Sequence, residues 1–361
     1  MGFLPPTTDI VRIGRAALVA AVLAAAVTLH VPVRAQSLSF SLFDRYLDSL
    51  RQQANIPALS GLISQNGTIV WERALGRQNL ESATPTTFET TYPIGGLSQT
   101  IGATLLLQKC VDDRGARVSD RIVRWDSAYP EPGTTLHALL THTSPDGSFV
   151  YSPARFAALT GVIEQCATGR YGPIAEEAIF RRLGMASTVP GHSLVAADAA
   201  NRGAFDAATL DRYGDALRRL AVPYRIDSRG RATRSEAAPA AGDAAAGIVS
   251  TARDLHRFDA AFRTLLEPAT LADAWTRQAS GTTPLPTGLG WFVQNYRDEL
   301  IVWQFGLVPN AYSSLIIKAP NRGITLILLA NSDGLSAPFG LENGDVTTSL
   351  FARLFLQLLV P

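Results

Sequence analysis

The chain has 361 residues, 47% of them hydrophobic, and balances 32 Lys+Arg against 31 Asp+Glu for a formal charge of +1. That size and apolar content suffice for a large packed core, as one domain or two lobes. The even charge leaves no footprint for nucleic acid or another polyanion, and the scattered His137, His142, His192 and His256 lack metal-ligand spacing, so neither metal nor cofactor is expected.

Arg12 and Arg15 precede an apolar run from Ala16 to Leu29, and Val33-Arg34-Ala35 fits a cleavage site before Gln36. Residues 1–35 read as an export signal, because the apolar run is shorter than the ~17–25 residues that span a bilayer. The mature chain is then expected in a periplasm or outside the cell, with no stable membrane span after cleavage. Phe40, Leu42, Phe43, Tyr46, Leu47 and Leu50 recur at spacings of three and four, which predicts an amphipathic helix over 40–54 stopped at Ile56-Pro57. Ala58–Gln65 and Thr68–Leu75 flank Asn66-Gly67, the pattern of a tight hairpin. After a loop at 84–88, Tyr92-Pro-Ile-Gly-Gly-Leu-Ser-Gln-Thr100 opens an apolar helix over 97–111 with a glycine pair. Such a start gathers free N–H groups and the positive end of the helix dipole, a place for a nucleophile or an anion.

Leu136-His-Ala-Leu-Leu-Thr-His-Thr-Ser144 and Tyr151-Ser-Pro153 follow, then a helical pattern through Phe156, Leu159, Val162, Ile163 and Cys166. Cys110 and Cys166 each fall late in a predicted helix. An oxidising compartment permits a disulfide between them, and two buried unpaired thiols are the other reading. Arg225–Ala246, rich in Arg, Ser, Ala and Pro, reads as a long surface loop. Ser250 or Thr251 suits a helix N-cap, with Asp254 as a capping-box-like acid. Trp291–Asn295, Ile301–Phe305, Ser313–Lys318 and Ile324–Ala330 are β-branched or aromatic runs that predict an antiparallel meander, and an apolar helix over Thr347–Val360 closes the chain.

In order, Ile94-Gly95-Gly96-Leu97-Ser98-Gln99-Thr100, Leu139-Leu-Thr-His-Thr-Ser144, Tyr151-Ser-Pro153 and Gln304-Phe305-Gly306 resemble the motifs of the serine β-lactamase / penicillin-binding-protein-like hydrolases. That family includes class C β-lactamases, D-alanyl-D-alanine carboxypeptidases and related esterases, and the resemblance runs over roughly residues 40–361. It implies an α+β, β-lactamase/transpeptidase-like fold. An antiparallel sheet flanked by the terminal helices would come from residues 36–94 and 246–361, and a mainly helical lobe from 95–245, with a pocket at their junction.

The same resemblance shows where the chemistry has changed. The family's Ile-Gly-Ser-x-Ser-Lys-Thr, whose serine is acylated with the lysine beside it, here has Gly96 for the nucleophile and Gln99 for the lysine. Its Tyr-x-Asn keeps Tyr151 but has Pro153 for the asparagine, which offers no side-chain donor or acceptor. Its Lys-Thr-Gly or His-x-Gly reads Gln304-Phe305-Gly306, a neutral amide in place of the cation. The stretch holding His142 is scaffolding beneath the family's site, so His142 is expected to be structural, and Pro145 replaces the usual Gly.

No S-x-x-K or G-x-S-x-G occurs anywhere in the sequence. Ser98, two residues past Gly96, is turned away by about 200° on a helix. Of the two lysines, Lys109 lies about 20 Å beyond Gly96 along a helix, and Lys318 has Leu315 three residues before it. Loss of the nucleophile costs a comparable serine hydrolase roughly a millionfold in turnover. The expectation is therefore an exported pseudoenzyme with no catalytic residues. Gly96, Gln99, Tyr151, Gln304 and Phe305 would form a pocket for a peptidoglycan-like peptide or a small carboxylate. Two expectations compete with it: an active serine hydrolase of β-lactamase, D,D-peptidase or esterase type with an unassigned nucleophile, and a scaffold whose pocket is a relic.

Overall fold

Asn66 and Gly67 take φ of 50° and 77°, the left-handed pair that a tight hairpin turn demands. They join β1 (Ala58–Gln65) to β2 (Thr68–Asn79), which pair from Ala58 opposite Gly76 to Gln65 opposite Thr68. β3 (Thr84–Pro85) completes that edge of the sheet. Three short ladders come next in the chain: β4 (Tyr92–Pro93) with β7 (Val249–Ser250), β5 (Tyr224–Ile226) with β6 (Ala232–Arg234), and β8 (Ala279–Ser280) with β9 (Thr283–Pro284). The meander β10 (Phe292–Tyr296), β11 (Glu299–Val308), β12 (Tyr312–Ala319) and β13 (Ile324–Ala330) then closes an antiparallel seven-stranded sheet of order β10-β11-β12-β13-β1-β2-β3. The structure is a computed structural model and describes residues 1–2, 31–195, 203–238 and 242–361, without the side chains of 31–37, 194 and 195.

Every residue of β12 and β13 is buried, so both faces of the sheet are covered. On one face α1 (Val31–Gln53) and α10 (Leu350–Leu359) bring Phe43, Leu47, Phe351 and Phe355 against Leu59, Ile63 and Trp303. Each such burial stabilises the fold by ~1.5–3 kcal/mol. On the other face Leu62, Val302 and Ile327 share one continuous core with α2 (Ser98–Leu106), α5 (Leu159–Ala167) and α8 (Ala252–Ala261). The remaining α-helices among the described residues are α3 (Leu136–Leu140), α4 (Pro153–Phe156), α6 (Tyr171–Ala175), α7 (Ala207–Arg218) and α9 (Pro268–Ala274). An ion pair fastens α8 to the sheet, with Lys318 Nζ 2.6 Å from Asp259 Oδ1 and 4.5 Å from the Trp275 ring centre. Cys110 and Cys166 are joined in a disulfide that ties the π-helical continuation of α2, Leu107–Asp112, to α5.

The structure differs from the sequence expectations in three places. The helix expected over 40–54 starts at Val31, while the export signal expected over 1–35 lies almost wholly outside the described residues. Arg225–Ala246 is not simply a surface loop. β5 and β6 pair across a turn in which Asp227 accepts from the Arg229 and Arg231 N–H groups, and Ala237, Ala238, Ala245 and Ala246 return to line the central cavity. At α8 the cap is Thr251, whose Oγ1 accepts from Asp254 N at 3.1 Å. Asp254 itself turns away from a capping box and accepts from Ser187 N and Thr188 Oγ1. Among the described residues no helix is long and apolar enough to cross a membrane.

Candidate functional site

After β4 the chain makes a 3₁₀ turn, Gly95–Leu97, that lies directly on β11. Gly95 has a φ of 54°, and a Cβ there would meet Leu307 N at 2.8 Å; a Cβ on Gly306 would meet the Ile94 carbonyl oxygen at 1.9 Å. The close approach of these two backbones is what requires glycine at both positions. Ser314 Oγ donates to that Ile94 oxygen at 2.8 Å, which holds the turn in place.

Gln99, in the first turn of α2, is wholly buried and is the hub of a polar network. The Ser152 backbone N–H donates to His142 Nδ1 at 3.1 Å. A backbone donor cannot reverse, so Nδ1 is the acceptor and Nε2 carries the proton. His142 Nε2 then donates to Gln99 Oε1 at 3.1 Å, and Gln304 Nε2 donates to the same oxygen at 3.3 Å. With its oxygen so placed, Gln99 Nε2 donates to the Tyr151 hydroxyl at 3.1 Å. Gln304 Oε1 accepts from Phe305 N at 2.9 Å. Burial holds the His142 pKa down to about 3, so the imidazole is neutral. Burial also pushes the Tyr151 phenol well above its ordinary range. The phenol keeps its proton, and because its oxygen accepts from Gln99 that proton is left for another partner. His142 sits at a φ of 55°, an uncommon conformation for a non-glycine residue, pinned by Val150 N donating to its carbonyl at 2.8 Å.

Above this network lies a cavity of about 510 Å³, bordered by Gly96, Tyr151, Pro153, Phe305, Leu307 and Glu342 among others. Small-molecule sites commonly fall between ~300 and ~1,000 Å³. Phe305 forms one wall and leaves the space open. Gln99 and Gln304, expected to ring the pocket, lie beneath it instead, 0% and 1% exposed. Their amides are committed to the network, which is the physical reason for that correction. At Gly96 a Cβ would stand 2.7 Å from the Tyr151 hydroxyl and 2.8 Å from the Phe305 carbonyl oxygen. The phenol thus takes the space where a serine side chain would begin.

Among the described residues the lining contains no Ser, Thr, Cys or Lys, and its one hydroxyl belongs to Tyr151. Ser98 is buried outside the lining, its Oγ without a hydrogen-bond partner among the described residues. Lys109 pairs with Asp113 at 3.0 Å and Lys318 with Asp259, so neither amine borders the cavity. Among the described residues Glu342 is the lining's one acidic or basic side chain apart from His192, whose pKa burial depresses. The small carboxylate expected as a ligand would therefore meet a like charge and no fixed cation among the described residues. No group of His, Cys, Asp and Glu among those residues could hold a metal ion. Sequence reasoning missed Glu342 and the position of His142 directly under Gln99.

The sequence profile of the Beta-lactamase family matches residues 43–346, while no curated protein sequence matches the chain. Among solved structures the chain is similar to the octameric penicillin-binding protein homologue from Pyrococcus abyssi, with 19% identity, a TM-score of 0.69, and coverage of 88% of this chain and 76% of that one. It is similar to the class C beta lactamase from Rhodobacter sphaeroides at 18% identity and a TM-score of 0.64, covering 88% and 98%. The D-amino acid amidase from Ochrobactrum anthropi SV3 aligns at 17% identity and a TM-score of 0.66, covering 91% and 99%. At these identities the structural likeness speaks for the fold, and the profile spans most of the chain. The chain belongs to the Beta-lactamase family.

Proposed function

We propose that this protein is an exported pseudoenzyme of the Beta-lactamase family, working in the cell envelope by binding or regulation and not by hydrolysis. The observation that carries this reading is the cavity lining, in which the Tyr151 phenol is the sole hydroxyl and no thiol or amine is present among the described residues. Acyl transfer needs an activated nucleophile beside a base. Here the phenol is held protonated, and the positions of both family cations are neutral amides buried in a closed network. Binding and oxyanion donors alone retain roughly a thousandfold over water, too little for a dedicated hydrolase. Export is supported by the Arg12–Ala35 pattern and by a disulfide suited to an oxidising compartment. A peptidoglycan-like peptide remains the ligand class that the family resemblance suggests.

The reading is tested with a chromogenic cephalosporin, a p-nitrophenyl ester and a D-Ala-D-Ala peptide, each assayed on the native chain, Tyr151→Phe and Ser98→Ala. All three proteins are expected to give the same background rate. Turnover that disappears in either variant would establish the competing reading, an active hydrolase. N-terminal sequencing of exported protein is expected to begin at Gln36.

A further inference from the structure

We propose that the cavity above Gly96 binds a small organic ammonium with an apolar body, Glu342 serving as counter-ion and the Tyr151 hydroxyl donating to a carbonyl of the ligand. The proposal rests on the non-catalytic binding reading of the same cavity and narrows it to one ligand class. Three observations converge on it.

First, the walls are mostly apolar. Proline, alanine, leucine and valine residues and Phe305 supply most of the lining. Each ligand methylene buried against such a surface tightens binding roughly fourfold. Second, the fixed charge is negative. Glu342 is exposed and has no ion-pair partner among the described residues. It stands on a 3₁₀ turn (Leu341–Asn343) whose first residue, Leu341, is wholly buried and which Gly340 and Gly344 bound at φ of 58° and 88°. Glu342 and Tyr151 both line the cavity, and the Glu342 charge adds a smaller upward push on the phenol to the one that burial gives it. Third, the hydrogen-bond polarity is set. Gln99 Nε2 donates to the Tyr151 oxygen, which directs the phenol's own proton to another acceptor. An acid at one point, a donor at another and an apolar wall between them suit an amine that also carries a carbonyl, and they disfavour a carboxylate.

The test uses calorimetry on the full mature chain at pH 6.5, below the ~7.7–8.0 range of an α-amine. Three probes share one body: leucinamide (ammonium), N-acetylleucinamide (neutral) and N-acetylleucinate (anion). Leucinamide is expected to bind about threefold to fivefold more tightly than the neutral probe, with the anion weakest. Glu342→Gln is expected to bring the ratio of leucinamide to N-acetylleucinamide affinity, both measured on that variant, down to about one, and Tyr151→Phe to weaken both amides alike. The proposal is overturned if the anion binds best, if the ammonium preference survives Glu342→Gln, or if leucinamide gives no heat. Binding of the neutral or anionic probe without the ammonium would remove the ligand class and leave the binding reading standing. Acylation of the protein by a β-lactam would remove that reading itself.

Discussion

His142 donates from Nε2 to Gln99 Oε1 at 3.1 Å, across 43 residues of sequence. This hydrogen bond stitches the loop before α4 to the first turn of α2, and it points the Gln99 amide nitrogen at Tyr151. The site is therefore electrically neutral at the position where the resemblance places a lysine.

Replacing the hub should be costly. Gln99→Leu leaves the His142 Nε2–H and a Gln304 N–H buried without an acceptor, at ~1–3 kcal/mol for each group. Gln99→Lys is expected to be no better, because an ammonium offers only donors to two neighbours that are themselves donating. Urea midpoints measure the loss, and a Gln99→Lys chain as stable as the native one would refute the network as described.

Stability should depend on His142 as pH falls. Its pKa is about 3 in the folded chain against 6.5 ordinarily, so between those values the unfolded chain binds more protons. The contribution is complete above pH 6.5 and is lost towards pH 3, at up to ~1.4 kcal/mol per pH unit. His192 and His256, depressed by burial as well, act in the same direction. Denaturation at pH 7.5, 5.5 and 4.5 should show a shallower acid decline for His142→Asn than for the native chain.

Restoring the serine alone should not restore chemistry. In Gly96→Ser the new Cβ would crowd the Tyr151 hydroxyl, which can shift, and the Phe305 carbonyl, which belongs to β11 and cannot easily move. Overpacking of this kind costs ~1–3 kcal/mol. Gly96→Ser/Gln99→Lys is expected to remain unacylated by a penicillin, as read by intact mass.

The disulfide closes a loop of 56 residues that carries His142 and Tyr151. Chain-entropy reasoning gives a cost of about 4 kcal/mol for Cys110→Ala/Cys166→Ala, measured as a fall in the denaturant midpoint. An unchanged midpoint would show that the α2–α5 packing needs no cross-link.

Much of the architecture is legible because it rests on short-range patterns. Ile324–Ala330 is a strand over the predicted span, and Asn66-Gly67 turns where its residue types say it must. Gly96 and Tyr151 can be placed from motif spacing, since each lies beside a recognisable element boundary. The hidden parts depend on contacts distant in sequence. Gln99 and Gln304 stay out of the cavity lining because their amides are tied to one another and to His142, itself oriented by the Ser152 N–H, a relation that no residue pattern encodes. Ala237, Ala238, Ala245 and Ala246 carry no periodicity, and Glu342 sits on a 3₁₀ turn without a motif, yet all five help define the cavity.

The most direct test of the central claim is intact-mass spectrometry of the purified mature chain after incubation with a fluorescent penicillin and, separately, a fluorophosphonate. The expected spectrum shows unmodified protein in both samples. A stoichiometric adduct with either reagent would contradict the pseudoenzyme reading, and peptide mapping would then identify the nucleophile.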